Sequence, residues 1–384
     1  MRYEGRRPKT FTTVLGEMTL MRAYYHCETC KGSGVPRDRA LLMEHISLSP
    51  GVVRMTGLAA AMTSFEEGSL LLSELAGVNV GAKQVERTAE ALGRQVAEDE
   101  RTHLEADQGT ASTLYLGVDG TGIPIRQNEL LGRKGKQADG SAKTREVKLC
   151  TVWSAESRDK EGRPTRDEGS VTYSAAIESA AAHATNDAPF AQRVLREATR
   201  RGFEKAMRRV VLGDGARWIW NLSGEYFPGA VEIVDRFHAK EHLSDVSKAI
   251  YGAGSDLGRE WAKERHDELD EGRLNKLILA LDTHASNCDE ARKCRDYITE
   301  NRQRMRYPEF HAQGLCTSTG VVEAGCKFAI GTRLKRTGMH WSVQGADAII
   351  ALRCTILSGR FEDFWERRAE QAAVPVRTAI PTAR

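Results

Sequence analysis

The period of apolar and polar positions changes several times along the chain, and each change predicts a different element. Residues 1–50 open with β-like runs at 11–15 and 18–25 that lead into Cys27-Glu28-Thr29-Cys30. Residues 51–110 turn to helical spacing. Ser64-Phe65-Glu66-Glu67 has the form of a capping box, Gly68, Leu71, Leu72 and Leu75 then share one face, and Gly77 ends that helix. After Val78-Asn79-Val80-Gly81, a second amphipathic run carries Val85, Ala89, Leu92 and Val96. Helix, short glycine turn, helix is an outline shared by a packing hairpin and a helix-turn-helix. In the second case Lys83, Gln84 and Arg87, near the start of the second helix, would read DNA.

From 111 the pattern becomes that of strands. Leu114-Tyr115-Leu116-Gly117-Val118-Asp119-Gly120 delivers a carboxylate into a glycine-rich turn, and strand-like runs follow at 146–153 and 170–175. The loop at 132–143 is polar and reads as solvated. Residues 190–207 are helical by the spacing of Phe190, Val194, Leu195 and Ala198. Arg209-Val210-Val211-Leu212-Gly213-Asp214-Gly215 then repeats the strand-to-Asp-Gly design, Trp218-Ile219-Trp220 lies on a helix, and 230–235 reads as a last strand. Three strands, then helix, strand, helix, strand, is the order of a ribonuclease-H-like α/β core at 111–240. Residues 241–315 hold no strand-like run and read as an all-helical insertion, with 316–360 returning to the core and 361–384 forming a frayed tail.

Composition narrows the class. With 384 residues, 40% of them hydrophobic, the chain is long enough for two or three compact units. A formal charge of +3 is too close to balance to announce a nucleic-acid partner, so any basic surface must be local. No apolar run spans a bilayer and the N-terminus lacks a signal-peptide core, so a soluble cytoplasmic protein with no membrane partner is expected. Eight scattered cysteines read as reduced thiols. Cys27 and Cys30 resemble half of a zinc ribbon. A tetrahedral site needs four ligands, so bound zinc is doubtful and the knuckle is expected to be incomplete; two surface cysteines in a turn fit equally well.

Asp-Gly is also a common turn dipeptide, so Asp119 and Asp214 need a third acid to become a site. Glu323, after Thr317-Ser318-Thr319 as candidate helix caps, supplies one, with Lys327 a turn further on and Ile330 on the same face. Arg333-Leu334-Lys335-Arg336 forms a basic cluster suited to DNA phosphates, and a second basic run extends from Arg292 to Arg306. Asp235, His238 and His242 also stand close in sequence. A structural role beside the acids fits them better than a zinc site, because Asp235 ends a strand.

Gly320-Val321-Val322-Glu323-Ala324-Gly325-Cys326-Lys327, Arg336-Thr337-Gly338-Met339-His340-Trp341, Val118-Asp119-Gly120-Thr121-Gly122 and Gly213-Asp214-Gly215-Ala216 together resemble bacterial insertion-sequence transposases of the Kra-four group. The resemblance runs from about Arg7 to Arg360. It implies a DDE transposase in which Asp119, Asp214 and Glu323 hold two Mg²⁺ or Mn²⁺ ions, cutting double-stranded DNA at element ends and joining it to target DNA. Lys327, Arg333, Lys335 and Arg336 would bear on phosphates, and the protein would assemble as a homo-oligomer on DNA. The family's other cysteine pair lies upstream of the position of Met1, which would leave the zinc ribbon open. A nuclease without strand transfer and a non-catalytic repressor of the element are the rival expectations.

Overall fold

The computed structural model describes residues 1–104, 111–135, 137, 140–180 and 188–373. In chain order, the N-terminal part comprises β1 (Arg2–Thr13), β2 (Gly16–His26), β3 (Ser33–Gly34), α1 (Pro36–Ala40), α2 (Pro50–Met62), α3 (Phe65–Ala76) and α4 (Ala82–Thr102). There follow β4 (Thr113–Pro124), β5 (Thr144–Ser154), the short ribbon β6 (Ser157–Arg158) and β7 (Pro164–Thr165), and β8 (Thr172–Ala176). Next come α5 (Pro189–Arg200), β9 (Arg208–Gly213), α6 (Arg217–Tyr226), β10 (Val231–Val234) and α7 (Arg236–Tyr251). The rest is helical: α8 (Asp256–Asp270), α9 (Leu274–Ala285), α10 (Asp289–Asn301), α11 (Tyr307–Ala312), α12 (Gly320–Gly325), a π-helical stretch (Cys326–Gly331), α13 (Thr332–Leu334), α14 (Val343–Leu357) and α15 (Phe361–Ala373). The chain divides into two compact units, one of 1–103, 125–131 and 333–384, the other of 104–124 and 132–332, so the expected segment 316–360 is shared between them.

The second unit is a mixed α/β body. Its five strands lie in the order β10-β9-β4-β5-β8, with β4, β5 and β8 antiparallel neighbours and β4, β9 and β10 parallel ones. The central strands read as apolar runs because both faces are covered: Leu114, Tyr115, Leu116, Val210, Val211 and Leu212 are all buried. The core continues without a break into the helical segment through Leu274, Leu277, Leu281 and Ile298. Four arginines of the basic run on α10 and beyond have acidic neighbours. Arg292 pairs with Asp289, Arg295 with Asp282 and Asp296, Arg304 with Glu232, and Arg306 with Glu309. Most of these pairs lie at the surface, where each contributes little to stability.

The first unit joins a three-stranded hairpin sheet to a helical layer. The hairpin begins at Arg2, well before the expected start at 11, and turns at Val14-Leu15. Ser64 and Glu67 form both bonds of the capping box, and Gly77 caps α3 in the left-handed region at φ 63°. On α3 only Gly68 and Leu72 are buried. Leu71 and Leu75 are exposed, so the expected apolar face is narrower than the leucine spacing suggested. On α4 the expected face is the buried one. α14 crosses α4 so closely that a Cβ on Gly93 would lie 2.1 Å from the Ala348 carbonyl oxygen. The expected frayed tail is corrected over 361–373: α15 buries Phe361 and Phe364, and Arg367 pairs with Asp99. Residues 374–384 of that tail, 105–110 and parts of the 132–143 loop lie outside the described residues. No helix among the described residues is long and apolar enough to cross a membrane.

Candidate active site

Asp119 and Asp214 belong to adjacent parallel strands. The β4–β9 ladder ends with Gly117 opposite Leu212, and each acid lies two residues further along. The β9–β10 ladder ends with Gly213 opposite Val234, and the Asp235 amide donates to the Gly213 carbonyl, so Asp235 comes next to Asp214 in the same row. Neighbouring strands stand about 4.8 Å apart. Asp214 and Asp235 thus follow the carboxyl ends of β9 and β10, where an open α/β sheet presents its ligand crevice. Asp119 stands in the same row but inside β4, which stays paired with β5 as far as Pro124, so the glycine-rich turn expected after Asp119 is strand instead.

Glu323 reaches this row through two glycines. Val322 packs where Gly117 has no side chain: a Cβ there would be 2.2 Å from Val322 Cγ2. A Cβ on Gly325 would be 2.9 Å from Leu149 Cδ2, and Leu149 is the cross-strand partner of Asp119. Glu323 lies between these two anchors, so α12 is pressed onto β4 and β5 beside Asp119. The following π-helical stretch adds residues to the turn. It buries Ile330 instead of leaving it beside Glu323, while Lys327 is exposed and makes no ion pair with Glu323.

Each acid has its own surroundings. Asp119 Oδ1 accepts from the Gly120 amide at 2.6 Å, and Asp214 Oδ1 accepts from the Ala216 amide at 2.9 Å. Both side chains are half-buried, and neither forms an ion pair among the described residues. Lys148, opposite Gly120 in the β4–β5 register, is bound to Glu146 at 2.5 Å and lies over the Trp218 ring. The Glu323 carboxyl is raised from its ordinary value, first by burial and then by the charges of Asp235, Glu241 and Asp119, against a smaller lowering by the Thr319 hydroxyl. The residue as a whole is exposed, so this desolvation concerns its inward-facing part.

Asp235 is fully buried and caps α7, accepting from the Phe237 and His238 amides. It also accepts from the Thr319 amide and hydroxyl, and the same hydroxyl lies 3.4 Å from Glu323 Oε1. Thr319 was expected as a helix cap, but its hydroxyl turns to Asp235 instead. The sequence offered no signal for that. His238 and His242 stack edge to face at 4.7 Å between ring centres, and the His242 imidazole is shifted down by burial and then by His238. Among the described residues, no three His, Cys, Asp or Glu side chains converge closely enough to hold one metal ion as they stand.

The expected DNA contacts separate into two groups. Arg333 is fully buried inside the first unit. Its Nε donates to the Ala60 carbonyl at 2.8 Å, its guanidinium lies between the Phe65 and Trp341 rings, and burial lowers it to about 10. A cation so enclosed cannot touch a phosphate, and the expectation for Arg333 is withdrawn. Arg336 is half-exposed and bidentate to Glu67, whose carboxyl it holds down at about 2. Lys335 and Arg87 are exposed, and Lys83 is exposed but bonded to Glu86 at 2.6 Å. At the N-terminus the Cys27 amide donates to Gly32 at 2.8 Å. The Cys27 thiol is lowered to about 7 by hydrogen bonds from Cys30.

No curated protein matches the chain. The sequence profile of the Uncharacterised protein family (UPF0236) matches residues 1–369, and the chain belongs to that family.

Proposed function

We propose that the protein is a DDE-type transposase with a ribonuclease-H-like core, cutting double-stranded DNA at the ends of an element and joining them to target DNA. One observation carries the reading. α12 is packed through Gly117 and Gly325 so that Glu323 meets β4 beside Asp119, while Asp119 and Asp214 each lie two residues past the last pair of the parallel β4–β9 ladder. The sheet order, three antiparallel strands followed by two parallel crossovers, supports the same reading.

The donor set suits a hard divalent cation. Asp119, Asp214 and Glu323 offer carboxylate oxygens, none engaged by a basic partner among the described residues, and Glu323 is pushed toward its protonated form first by burial and then by neighbouring acids. Mutual repulsion keeps such groups apart until a cation neutralises them. Asp119, Asp214 and Glu323 would hold Mg²⁺ or Mn²⁺, and bound ions would stabilise charge on the attacking and leaving oxygens of a phosphodiester. The protein's own contribution is to fix Asp119 within β4, Asp214 just past the end of β9 and Glu323 on α12. Lys327, Lys335 and Arg336 remain as exposed cations for the DNA backbone.

A strand-transfer assay with labelled element ends tests the proposal. Cutting and joining that require Mg²⁺ and are lost in Asp119→Ala, with DNA binding retained, are the expected result. Cutting without joining would make the protein a nuclease, and binding alone would make it a repressor.

A further inference from the structure

We infer that Tyr297, on α10 of the helical segment, is a positioning residue for Asp214; the inference rests on the reading of Asp214 as an acid of the active site. The loop that carries Asp214 is short, and apart from the Ala216 amide its carboxylate has little to orient it. Tyr297 supplies the missing constraint from outside the sheet. Its hydroxyl donates to the Asp214 carbonyl oxygen at 2.8 Å. Its ring fills the place a side chain at position 215 would need: a Cβ on Gly215 would stand 2.3 Å from Tyr297 Cε2. Gly215 itself adopts φ 98°, which other residues rarely enter. The glycine and the tyrosine therefore fit as one unit, the first allowing the loop its turn and the second covering it.

Tyr297 is itself held firmly. Its ring rests on His242 at 4.6 Å and meets His238 edge on at 6.5 Å, and its carbonyl accepts from the Asn301 side chain at 3.0 Å. On the far side of the loop, Arg217 at the start of α6 pairs with Glu300 at 2.5 Å, three residues beyond Tyr297 on α10. α10 thus holds the loop at Asp214 and again three residues later, at Arg217. Burial and the nearby Asp214 charge keep the hydroxyl protonated, so it remains a donor throughout the working pH range. The helical segment between the second and third acids therefore does more than extend the core: it sets the angle at which the second acid faces the other two.

The test compares wild type with Tyr297→Phe, which keeps the ring and removes only the donor, in the full-length protein. Hydrogen exchange is followed at the Gly215 and Ala216 amides, and Mn²⁺ binding is followed by calorimetry without DNA. Faster exchange at those two amides and Mn²⁺ binding weakened by roughly tenfold, as for loss of an outer partner of a metal ligand, are expected, with the melting temperature little changed. Unchanged exchange at both amides, or, where wild type binds Mn²⁺, equally tight binding by Tyr297→Phe, overturns the inference. If wild type binds no Mn²⁺ while exchange still quickens in Tyr297→Phe, the positioning contact stands and the metal reading of the acids falls.

Discussion

Asp235 and Thr319 are joined twice, by the Thr319 amide and by its hydroxyl, to one buried carboxylate oxygen. This couples the end of β10 to the start of α12, the helix that carries Glu323. The other oxygen caps α7 through Phe237 and His238. Asp235→Asn replaces one acceptor with a donor facing buried N–H or O–H groups, so it should destabilise the protein by about 2–4 kcal/mol. Urea unfolding measures the loss. Thr319→Val, which keeps the amide bond and removes only the hydroxyl, should cost less, about 1 kcal/mol. Equal costs for the two substitutions would count against the cap on α7 as part of the role of Asp235.

Within the first unit, the crossing of α4 and α14 makes a sharp prediction. A methyl group on Gly93 would meet backbone, the Ala348 carbonyl oxygen and carbon at 2.1 and 2.6 Å, and backbone cannot rotate away as a side chain can. Gly93→Ala gains helix propensity of about 1 kcal/mol but must separate the helices, so a net loss of about 2 kcal/mol is expected. Gly224→Ala is the control. It lies on α6 with no atom within 4 Å of the added Cβ, and it should be neutral or stabilising. A thermal melt of the two variants decides between propensity and packing.

The parts of this fold that were legible in the sequence are those set by local period and local chemistry. The runs before Asp119 and Asp214 are apolar on both faces, so strand type could be read without tertiary information, and β9 stops at Gly213 as expected; β4 instead continues past Asp119 to Pro124, because β5 keeps pairing with it through the glycines. The Ser64 capping box is equally local. What escaped depends on partners remote in sequence. Leu71 and Leu75 follow helical spacing with Leu72, but which leucines are covered is decided by α2 and α4, and only Leu72 is. Phe361 and Phe364 looked like part of an unstructured tail, although they anchor a helix. Arg333 carries the sign of a phosphate contact, and only the Phe65 and Trp341 rings around it reveal a core residue. Tyr297 had no local signature at all, because its role lies in a contact with Asp214, more than eighty residues earlier.

Arg333 and Lys335 should therefore behave differently although they lie two residues apart. Arg333→Met keeps the stem and loses the donor to Ala60, leaving a carbonyl in the first unit without its partner. Destabilisation of about 1–3 kcal/mol in urea is expected. The slope of DNA affinity against salt should not change in the folded protein, since a buried guanidinium releases no counterion. Lys335→Ala is exposed and should leave stability within about 0.5 kcal/mol of wild type. If it contacts a phosphate, its loss lowers the logarithmic salt slope by about one. A salt-slope change in Arg333→Met with unchanged stability would restore that residue as a DNA contact.

Glu323 gives a prediction in pH. Its carboxyl is raised above 4.5 by burial, and then by Asp235, Glu241 and Asp119, so the folded protein binds that proton more tightly than the unfolded chain does. Between the ordinary and the raised value, rising pH strips the proton from the folded state against this resistance, and stability falls. Below 4.5 the group is protonated in both states and the penalty is absent; above the raised value the penalty is constant. Glu323→Gln never ionises. In the presence of a chelator it should melt higher than wild type at pH 7, and the difference should close as the pH approaches 4. Mg²⁺ reverses the order if the acid is a ligand: the cation should raise the melting temperature of wild type and leave Glu323→Gln nearly unmoved. A variant that melts lower than wild type at pH 7 with chelator would mean that the Thr319 bond outweighs the repulsion from the neighbouring acids, and the carboxylate would then be anchored without need of a cation.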